Sequence, residues 1–514
     1  MGALETLVVF LSSSLCLFLF LTLITFLHKF LWVPIRIQHR MRSQGINGPS
    51  YKFIRGNTKE ALIMRKEKMI RPMNLSHHIF PRIQPHICSW INTYGKIYLS
   101  WYGAKAQLFV TESEFVKELL NNRDRAYVKT DTEGFLKKLL GNGILVSEGK
   151  KWTKLRKLAN HAFHADRLKN MIPEMISSAD MMLERLKQYE GKEVDMYEEF
   201  RLLTSEVISR TAFGSSYLEG KDIFEMLIKL SMINIRNAFK IRLPGISKFF
   251  RTADDIESDK LEQGIHDSII RIIKQREKTM TGEVDNFGTD LLGLLVKANH
   301  DADENYRITV EDVVDECKTF YIAGHETTTT LLAWTALLLA IHTDWQEKAR
   351  QEVIELFGKQ QPNSEGIGRL KTTNMIINES LRLYPPVSQF VRKTKHEVKL
   401  GKFIIPANIE LNMPTLALHH DPQVWGEDAL LFKPERFSEG VAKATNNNQA
   451  LFIPFGLGPR NCVGMNFAIN ETKIALSMIL QHYSFTLSPT YIHSPVIVVT
   501  IRPQHGVPVI LHAL

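Results

Sequence analysis

The sequence predicts a mainly α-helical protein with a smaller β portion, attached to a membrane by a single N-terminal transmembrane helix. Residues 7–27 are apolar and uncharged, residues 151–360 have mostly helical periodicity, and strand-like alternation appears at 95–112, 391–413 and 496–511. Of the 514 residues, 44% are apolar and 23% are charged, which is the composition of a globular protein with a large core.

The N-terminal segment has the length of a membrane anchor. At ~1.5 Å rise per residue, a helix over residues 7–27 spans the ~30 Å hydrocarbon layer. A cleaved secretory signal is the competing interpretation, but no basic segment or small-residue cleavage site accompanies the run. Basic residues follow the span, while Glu5 precedes it, so the positive-inside rule leaves the C-terminal part in the cytosol. We expect an anchor over residues 1–28, a basic and Pro/Gly-containing linker over 29–57, and one large unit over 58–514.

Charge and cysteine content narrow the function classes. The net charge is +9 without a dense Lys/Arg tract, so no nucleic acid partner is expected, and membrane lipid or an acidic protein fits better. The four cysteines are far apart and form no C-x-x-C pair, which argues against structural zinc and a disulfide scaffold. The main body is therefore expected in a reducing compartment.

Some elements of the body can be predicted individually. Residues 95–112 predict a β-hairpin, and residues 496–511 predict a final hairpin. Thr309, followed by Asp312, predicts the cap of a helix that continues without proline to about His342, roughly 33 residues, and crosses the centre of the body. Breaks between other helices are expected near Gly191, Pro244 and Gly282.

The middle of this long helix carries AGHETTTT, residues 323–330. Glycine and β-branched threonines are poor helix formers, and threonine hydroxyls bind backbone carbonyls, so a local gap in the hydrogen-bond ladder is expected. One interpretation is a kink with Glu326 paired to a lysine. The functional interpretation places Glu326 and Thr327 at a buried site, where they hold water and pass protons.

Glu379 and Arg382 in NESLRLYPP share one helix face. Such a pair is usually an exposed ion pair of small energetic value. Here the helix is otherwise apolar, and FKPERF at 432–437 offers Arg436 as a third member. The sequence therefore predicts a buried structural group that fixes two segments against each other.

Trp152 and Arg156 lie at i and i+4 in GKKWTKLRKLANHAFH. The simplest interpretation is a basic amphipathic helix on the surface. The functional interpretation is that this pair binds an anionic group on the inner side. The lysines on the rest of the helix would attract an acidic partner: Lys150, Lys151, Lys154 and Lys157.

Cys462 lies in the constrained loop FIPFGLGPRNCVG, residues 452–464. A metal-ligating cysteine must be a thiolate, and a buried thiolate needs N–H donors and positive charge nearby. The alternative is an inert cysteine buried in a turn. The loop offers residues suited to ligation: Gly456 and Gly458 to direct N–H groups at the sulfur, Phe455 to shield it, Arg460 to neutralise a cofactor carboxylate, and Gly464 to let the next helix begin close to a flat ligand.

Together these motifs resemble the cytochrome P-450 monooxygenases. Phe455, Gly458, Arg460, Cys462 and Gly464 match the haem-binding signature F-x-x-G-x-R-x-C-x-G. Residues 323–328 match the oxygen-activation motif, Glu379 and Arg382 match E-x-x-R, residues 434–437 match P-E-R-F, and Trp152 with Arg156 match W-x-x-x-R. These motifs follow the family's order over essentially the whole chain. GINGPSYKFIRGN and the C-terminal SPVIVVTIRPQHGVPVIL resemble plant members of clan 72.

The resemblance implies a cytochrome P-450 fold and a haem-binding monooxygenase domain over 58–514, with haem b as the cofactor and Cys462 as the axial thiolate of its iron. Propionate contacts are implied for Trp152, Arg156, Arg392 and Arg460, with Phe455 and Gly456 beside the sulfur, and proton delivery is implied for Thr327 and Glu326. The implied pocket segments are 130–144, Phe320, Ala323, Val387, Phe390 and the hairpin tip near 504–507.

The resemblance also implies the reaction and the partners. One oxygen atom from dioxygen would enter a hydrophobic small molecule, such as a terpenoid, a steroid-like hormone or a fatty acid, with electrons from NADPH through NADPH-cytochrome reductase. This flavoprotein would dock on the lysines near 150–157. The expected location is the endoplasmic reticulum membrane, single-pass, with the catalytic domain in the cytosol. Two alternatives stay open: a haem-thiolate isomerase or dehydratase that does not use dioxygen, and a membrane-anchored haem-binding sensor.

Overall fold

Helices dominate the computed structural model, which describes residues 2–122, 125–240, 251–278 and 287–514. Small sheets accompany them, so the predicted mainly α class with a smaller β portion is confirmed. The helix breaks predicted near Pro244 and Gly282 lie outside the described residues. The break near Gly191 is present, because a helix that ends at Leu186 is followed by a short strand at Glu193–Asp195.

The α-helices are Ala3–Leu27, Val33–Arg42, Thr58–Met69, Phe80–Ile83, Pro85–Tyr94, Ser113–Asn121, Gly134–Leu140, Gly149–Ala162, Ala165–Leu186, Met196–Phe213, Tyr217–Asn237, Ala253–Lys278, Leu291–Asn299, Val310–Ile341, Thr343–Phe357, Ser364–Arg369, Lys371–Leu383, Thr415–His419, Pro422–Trp425, Gly440–Ala444 and Met465–His482. A π-helical turn spans His28–Trp32, and 3-10 turns span Lys187–Tyr189, Pro434–Phe437, Gln449–Leu451 and Gly458–Arg460. The strands are β1 (Ile97–Tyr102), β2 (Lys105–Val110), β3 (Tyr127–Val128), β4 (Glu193–Asp195), β5 (Gln389–Thr394), β6 (Val398–Leu400), β7 (Phe403–Ile405), β8 (Glu410–Pro414), β9 (Tyr483–Leu487), β10 (Pro495–Ile497), β11 (Ile501–Pro503) and β12 (Pro508–Ala513).

The N-terminal helix continues beyond the predicted anchor. Ala3–Leu27 passes through the π-helical turn at His28–Trp32 into Val33–Arg42, so the first half of the predicted linker is helical. Within the described chain, this is the one helix long and apolar enough to cross a membrane. Its apolar side chains are exposed, as expected for a segment whose surroundings are lipid.

The second half of the predicted linker is packed against the body. Met41 and Ile46 are buried, and the Leu99 N–H of β1 donates to the Asn47 carbonyl at 2.9 Å. A Cβ added to Gly48 would lie 1.8 Å from the Leu99 carbonyl oxygen, so only glycine allows this approach. The segment therefore fixes the direction in which the N-terminal helix leaves the body.

The largest sheet has the order β1-β2-β8-β5-β3. Its β1–β2 hairpin confirms the prediction for residues 95–112, with Gly103 at φ 56° in the turn. β8 is parallel to β2 and antiparallel to β5, and β5 carries Arg392. The sheet thus brings the segment after the E-x-x-R helix next to the N-terminal part of the body.

The predicted C-terminal hairpin over 496–511 is wrong in its pairing. β10 pairs with β11, so the tip of this hairpin is 498–500 and not the segment 504–507. β12 instead pairs with β9 and β4 in the order β4-β12-β9. Pro503 and Pro508 flank the intervening loop and have no N–H to continue a β11–β12 ladder. β12 therefore pairs with strands that are remote in the sequence.

The helix Val310–Ile341, hereafter the central helix, confirms the long helix predicted between Thr309 and His342. Asp312 N–H donates to the Thr309 hydroxyl at 3.1 Å and Thr309 N–H donates to the Asp312 carboxylate at 3.0 Å, which forms a capping box. The helix is continuous through the threonine run, so the predicted gap does not interrupt it. A Cβ on Gly324 would lie 2.5 Å from Ile208, so glycine allows the helix Met196–Phe213 to pack closely there.

The E-x-x-R pair is buried as predicted. Glu379 and Arg382 are both 0% exposed, and Arg382 Nη2 donates to Glu379 Oε1 at 2.7 Å. Arg436 Nε lies 3.6 Å from the same oxygen. Arg436 also binds Asp428, a carboxylate that the sequence pattern did not identify, with Nη2 2.5 Å from Oδ1. These contacts tie the helix Lys371–Leu383 to the segment that leads to the cysteine loop.

Candidate active site

The cysteine loop, residues 452–464, is closed by its own backbone. Cys462 N–H donates to the Phe455 carbonyl at 2.8 Å, and Gly456 N–H donates to the Ile453 carbonyl at 3.0 Å. Gly458 has φ 74°, and a Cβ there would lie 2.5 Å from the Leu120 carbonyl. The loop therefore depends on glycine for its conformation as well as for its packing.

The Cys462 side chain is accessible although much protein surrounds it. Burial raises the pKa of its thiol, whereas the Gly464 N–H and the charge of Arg156 lower it. The N–H donor at the sulfur thus comes from Gly464 and not, as predicted, from Gly456 or Gly458. A Cβ on Gly464 would meet nothing within 4 Å, so one side of this turn is open. The donor set suits a thiolate that binds a metal.

The predicted propionate residues divide into two groups. Arg460 donates to the Ser147 carbonyl at 2.7 Å, pairs with Glu148 at 2.9 Å, and lies over the Trp152 ring at 4.5 Å. Arg156 instead donates to the Asn461 carbonyl and side-chain oxygens at 2.6 and 2.8 Å. Trp152 therefore supports Arg460, while Arg156 stabilises the cysteine loop next to the sulfur.

Arg392 and Lys129 complete a cluster of cations with Arg460. Burial, followed by the Arg460 charge, lowers the pKa of Arg392 to about 10. Burial and the charges of Arg392 and Arg460 lower the pKa of Lys129 to about 7, and Glu148 opposes this shift. Glu148 thus offsets only part of the positive charge of Lys129, Arg392 and Arg460, so the cluster is suited to bind further anionic groups. Sequence reasoning missed Lys129, because no motif marks it and its partners are remote in the chain.

The central helix presents one accessible strip in an otherwise buried stretch. Ala323, Gly324 and Thr327 are half-buried, while their neighbours from residue 316 to 340 are buried. The Thr327 hydroxyl donates to the Ala323 carbonyl at 2.6 Å. Spacing of three and four residues places Ala323 and Thr327 on the same helix face. The Thr327 hydroxyl therefore lies on the accessible face of an otherwise buried part of the helix.

Glu326 is buried, 6% exposed, on a different face of the helix. It accepts a hydrogen bond from the Thr500 hydroxyl at 3.2 Å, and Arg502 Nη1 lies 3.8 Å from its Oε1. The cation beside Glu326 is therefore an arginine and not the lysine predicted from the sequence. Burial raises the pKa of Glu326, and Arg502 is the strongest opposing influence. Thr327 and Glu326 are adjacent in sequence, but they contact different parts of the molecule.

The predicted pocket residues have different surroundings. Val387 is half-buried, like Ala323. Phe320 is buried and stacks on Phe163 with ring centroids 5.5 Å apart, so its ring is part of the core. Phe390 is half-buried beside the cysteine loop, and a Cβ on Gly456 would lie 3.2 Å from its ring. The loop 504–507 packs on Asp195, which accepts from Val507 N–H at 2.7 Å.

The pocket segment 130–144 is tethered to the central helix by two carboxylates. Asp315 accepts from Asn142 N–H at 2.8 Å, and Glu316 accepts from Ile144 N–H at 2.5 Å. A Cβ on Gly143 would lie 2.6 Å from the Thr319 hydroxyl, so the loop lies directly on the helix. Burial raises the pKa of Glu316 to about 8. The tether fixes the loop against the helix that carries Thr327.

The predicted docking lysines are mostly engaged within the chain. Lys151 pairs with Asp312, the cap residue of the central helix. Lys154 donates to the carbonyls of Glu304 and Arg307 at 3.1 and 3.2 Å, and Lys157 lies over the ring of Tyr306 at 5.1 Å. The helix Gly149–Ala162 is therefore anchored by these lysines, and Lys150 projects as an exposed residue.

Three features fit a haem group held by a cysteine. Cys462 has an N–H donor and a cation beside its sulfur, which partly offset the burial that raises its pKa and suit a metal-bound thiolate. The cations Lys129, Arg392 and Arg460 suit the two carboxylates of a haem. The accessible strip of the central helix carries the Thr327 hydroxyl. The site thus has the donor chemistry of a haem-thiolate protein.

Comparison with known proteins agrees with this class. The family model described as Cytochrome P450 matches residues 78–504. Cytochrome P450 CYP749A22 of Panax ginseng is 65% identical over 98% of this chain and 97% of its own length. Cytochrome P450 CYP72A616 of Paris polyphylla is 41% identical over 94% of both chains, and 11-oxo-beta-amyrin 30-oxidase of Glycyrrhiza uralensis is 42% identical, also over 94% of both.

Among solved structures, a retinoic acid-bound cyanobacterial CYP120A1 covers 85% of this chain and 96% of its own, with a TM-score of 0.73 and 25% identity. The chain therefore belongs to the cytochrome P450 family and is a P450 monooxygenase. The predicted resemblance to plant members of clan 72 is confirmed by the relatives.

Proposed function

We propose that this monooxygenase oxidises a hydrophobic isoprenoid of triterpenoid or steroid type. The observation that carries this substrate class is the name of a 42% identical relative, 11-oxo-beta-amyrin 30-oxidase, which gives a triterpenoid as the substrate of that enzyme. The half-buried Ala323, Val387 and Phe390 support it, because a largely hydrocarbon ligand needs an apolar lining. A fatty acid is the alternative substrate that the same lining favours.

The overall reaction is R–H + O2 + NADPH + H⁺ → R–OH + H2O + NADP⁺. When bound, haem b would supply oxygen activation and C–H oxidation. In this proposal Cys462 would hold the haem iron through its thiolate, which the Gly464 N–H and Arg156 stabilise. Arg392, Arg460 and Lys129 would bind the haem propionates, with the Arg460 guanidinium held over the Trp152 ring.

Thr327 and Glu326 handle the protons in this proposal. The Thr327 hydroxyl is half-buried on the accessible strip, where it can exchange its bond to the Ala323 carbonyl for one to a water molecule. Glu326 is a buried carboxyl one residue away, and burial raises its pKa, which makes it a better proton carrier than an exposed carboxylate. Oxygen-independent haem-thiolate chemistry would not need this pair.

The electron donor is proposed to be NADPH-cytochrome reductase at the endoplasmic reticulum membrane. The apolar N-terminal helix supports a single-pass anchor over residues 1–28, with the monooxygenase domain of residues 58–514 in the cytosol. Arg156 bonds to Asn461, so the helix Gly149–Ala162 lies next to the cysteine loop and is a short path for electrons. Exposed cations on this helix are then placed to attract an acidic partner.

The first test is the spectrum of the reduced, carbon monoxide-bound protein, with Cys462→Ala as the variant. A thiolate-type Soret shift in the natural protein that Cys462→Ala lacks is expected. The same spectrum from both proteins would overturn the assignment of Cys462. Spectral titration with a triterpenoid, a sterol and a fatty acid, followed by mass analysis of products formed with reductase and NADPH, then tests the substrate class. Turnover of the fatty acid alone would exclude the isoprenoid.

The second test removes the hydroxyl of Thr327. Thr327→Ala should continue to consume NADPH while product per NADPH falls, and Thr327→Ser should restore the ratio. Thr335→Ala is the matched control, because its hydroxyl also donates to a carbonyl one turn earlier, Leu331 at 2.8 Å, in a fully buried part of the same helix. A fall of the same size in both alanine variants would mean that helix packing, and not proton delivery, is affected.

For docking, Lys150→Glu is the informative variant, since Lys151 and Lys154 also hold the helix in place. Reduction by the reductase should become slower and less dependent on salt. Lys399→Glu, an exposed lysine of β6, is the control. Equal reduction rates and salt dependence for Lys150→Glu and the natural protein would place the docking surface elsewhere.

A further inference from the structure

Two tyrosines of the body are each bound to a histidine through the phenol hydroxyl. The Tyr384 hydroxyl is 2.8 Å from His77 Nδ1, and the Tyr491 hydroxyl is 2.7 Å from His493 Nδ1. His493 Nε2 donates to the Ser76 carbonyl at 3.0 Å, so its Nδ1 is the nitrogen that accepts. Burial raises the pKa of both phenols, and it lowers the pKa of His77 to about 3 and that of His493 to about 4. Each pair therefore joins a phenol O–H to a neutral imidazole that can accept its proton.

Trp334 connects the two pairs to the central helix. Its indole is 0% exposed and stacks on the Tyr384 ring, with ring centroids 4.3 Å apart, and its N–H donates to the Ile501 carbonyl at 2.6 Å. The centroid of the His493 ring is 6.1 Å from that of Trp334 and 6.4 Å from that of Tyr384. Trp334 follows Thr327 by seven residues, which is two turns or about 10.5 Å along the same helix face. The aromatic contacts therefore begin on the face that carries the Thr327 hydroxyl.

The other end of these contacts reaches a surface cleft of about 580 Å³. Tyr491 and His77 are half-buried, and two residues of the cleft wall bind His493. Met73 N–H donates to the His493 carbonyl at 3.0 Å, and the Ser76 carbonyl accepts from His493 Nε2. The wall carries cations in excess of acids, namely Lys68, Arg71 and Arg82 with Glu67. Its charge therefore suits a small anion.

We propose that this group of residues, hereafter the aromatic relay, carries electrons from a small anionic reductant in the cleft to the haem site when no substrate is oxidised. The aromatic relay consists of Trp334, Tyr384, His77, His493 and Tyr491. The proposal rests on the proposed function, because it needs a haem on Cys462 next to the helix face of Thr327. The relay protects the enzyme from the oxidant that it generates.

The electrons and protons of this step balance. If dioxygen has been reduced and no C–H bond is in reach, the oxygen atom meant for the substrate needs two electrons and two protons to leave as water. Each tyrosine supplies one electron by way of Trp334 and gives its phenol proton to its histidine, because an oxidised phenol is a far stronger acid than an imidazolium. An ascorbate monoanion then gives up two electrons and one proton, and the histidines return the phenol protons. The sum converts one oxygen atom, one ascorbate monoanion and one solvent proton into water and dehydroascorbate.

The first test detects the oxidised tyrosine directly. Ferric holoenzyme is mixed with a peracid, which supplies the oxygen atom without the reductase, and is frozen rapidly for electron paramagnetic resonance. A tyrosyl radical is expected, and its signal should narrow when the protein contains ring-deuterated tyrosine. Tyr384→Phe and Trp334→Phe should lower this signal several-fold, and so should His77→Gln, whose amide accepts a hydrogen bond but not a proton. The reduced carbon monoxide spectrum, and product per NADPH at saturating substrate, should not change.

Tyr98→Phe is the matched control. Tyr98 is also 0% exposed and stacks on Phe109 with ring centroids 4.9 Å apart, but its hydroxyl has no hydrogen-bond partner in the described part of the chain. Its radical signal should equal that of the natural protein. An unchanged signal in Tyr384→Phe and His77→Gln would overturn the proposal, and so would an equal fall in Tyr98→Phe.

The second test measures how long the haem Soret band survives with NADPH, reductase and dioxygen but no substrate, in the presence of catalase. Ascorbate should extend survival several-fold in the natural protein and much less in Tyr384→Phe. Arg71→Glu reverses a charge of the cleft and should need more ascorbate for the same protection, whereas Lys399→Glu on β6 should not. Equal protection of Tyr384→Phe and the natural protein would refute the relay, and equal ascorbate dependence of Arg71→Glu would refute the cleft as the entry point.

A second variant covers poor folding of Tyr384→Phe. Trp334→Phe keeps the Tyr384 hydroxyl and its bond to His77 but removes the indole between this pair and the central helix. A radical signal and a survival time equal to those of the natural protein would count against the proposal. Failure of the proposed function would be recognised separately, because the natural protein would then lack the thiolate-type spectrum or form no oxygenated product.

Discussion

Replacement of Glu379 by glutamine tests the energetics of the buried ion pair. Arg382 donates to the two oxygens of Glu379 at 2.7 Å, and both residues are 0% exposed. The same guanidinium donates to the carbonyls of His419, Ala429 and Leu431 at 2.9, 2.6 and 3.3 Å. Glu379→Gln keeps the size of the side chain but leaves the buried positive charge without a counterion.

The expected cost follows from this burial. Removing one partner of a buried pair costs about 3–5 kcal/mol, because the remaining charge is no longer compensated. With about 2.1 cal/mol/K of unfolding entropy per residue, the roughly 460 residues after the predicted linker have an unfolding entropy of about 1 kcal/mol/K. The thermal midpoint should therefore fall by about 3–5 °C.

Calorimetry at a single scan rate measures this shift, since an irreversible midpoint depends on the rate. Glu184→Gln is the control, because Glu184 and Lys187 form a pair with the same spacing at 2.6 Å, with side chains 68% and 59% exposed. An exposed pair contributes about 0–1 kcal/mol, so this midpoint should change by at most about 1 °C. Equal midpoints for Glu379→Gln and the natural protein would refute the reasoning.

Three further predictions concern the loop tether, the cation cluster and the cysteine loop. Burial raises the pKa of Glu316 from 4.5 to about 8, so the folded chain keeps a proton that the unfolded chain releases, and stability falls as pH rises through this window. Between about pH 6 and about pH 8 the natural protein should lose about 2 kcal/mol, or about 2 °C by calorimetry, and Glu316→Gln should lack this slope. Arg392→Met should speed the transfer of haem to an excess of a haem-free acceptor protein about tenfold or more, because a hydrogen bond to a charged group contributes about 1.5–3 kcal/mol. A transfer rate equal to that of the natural protein would mean that Arg392 does not bind a propionate. Gly458→Ala should lower the yield of protein with the thiolate-type spectrum, since its Cβ would lie 2.5 Å from a carbonyl oxygen, while Gly368→Ala, which meets nothing within 4 Å, should not.

Local signals were sufficient to predict much of the fold. The capping residues Thr309 and Asp312 predicted the start of the central helix, and the alternation in 95–112 predicted the β1–β2 hairpin, because each signal acts within a few residues. The C-terminal hairpin was mispredicted, because the partners of β12 come from β4 and β9 and no local pattern specifies a remote strand.

The sequence alone determined the identity of the chemically special residues. Cys462, Thr327 and the pair Glu379–Arg382 stand out because glycine, proline and apolar neighbours restrict what such side chains can do at those positions. The uncharged apolar run near the N-terminus indicated a membrane anchor, because a helix of that length spans the hydrocarbon layer.

Only the tertiary structure decided which charges meet. It brings Lys129 to Arg392 and Arg460, turns Glu326 towards Arg502, and places Arg156 on Asn461. Electrostatic interaction depends on separation in space and on burial, and neither quantity is written in the order of residues along the chain.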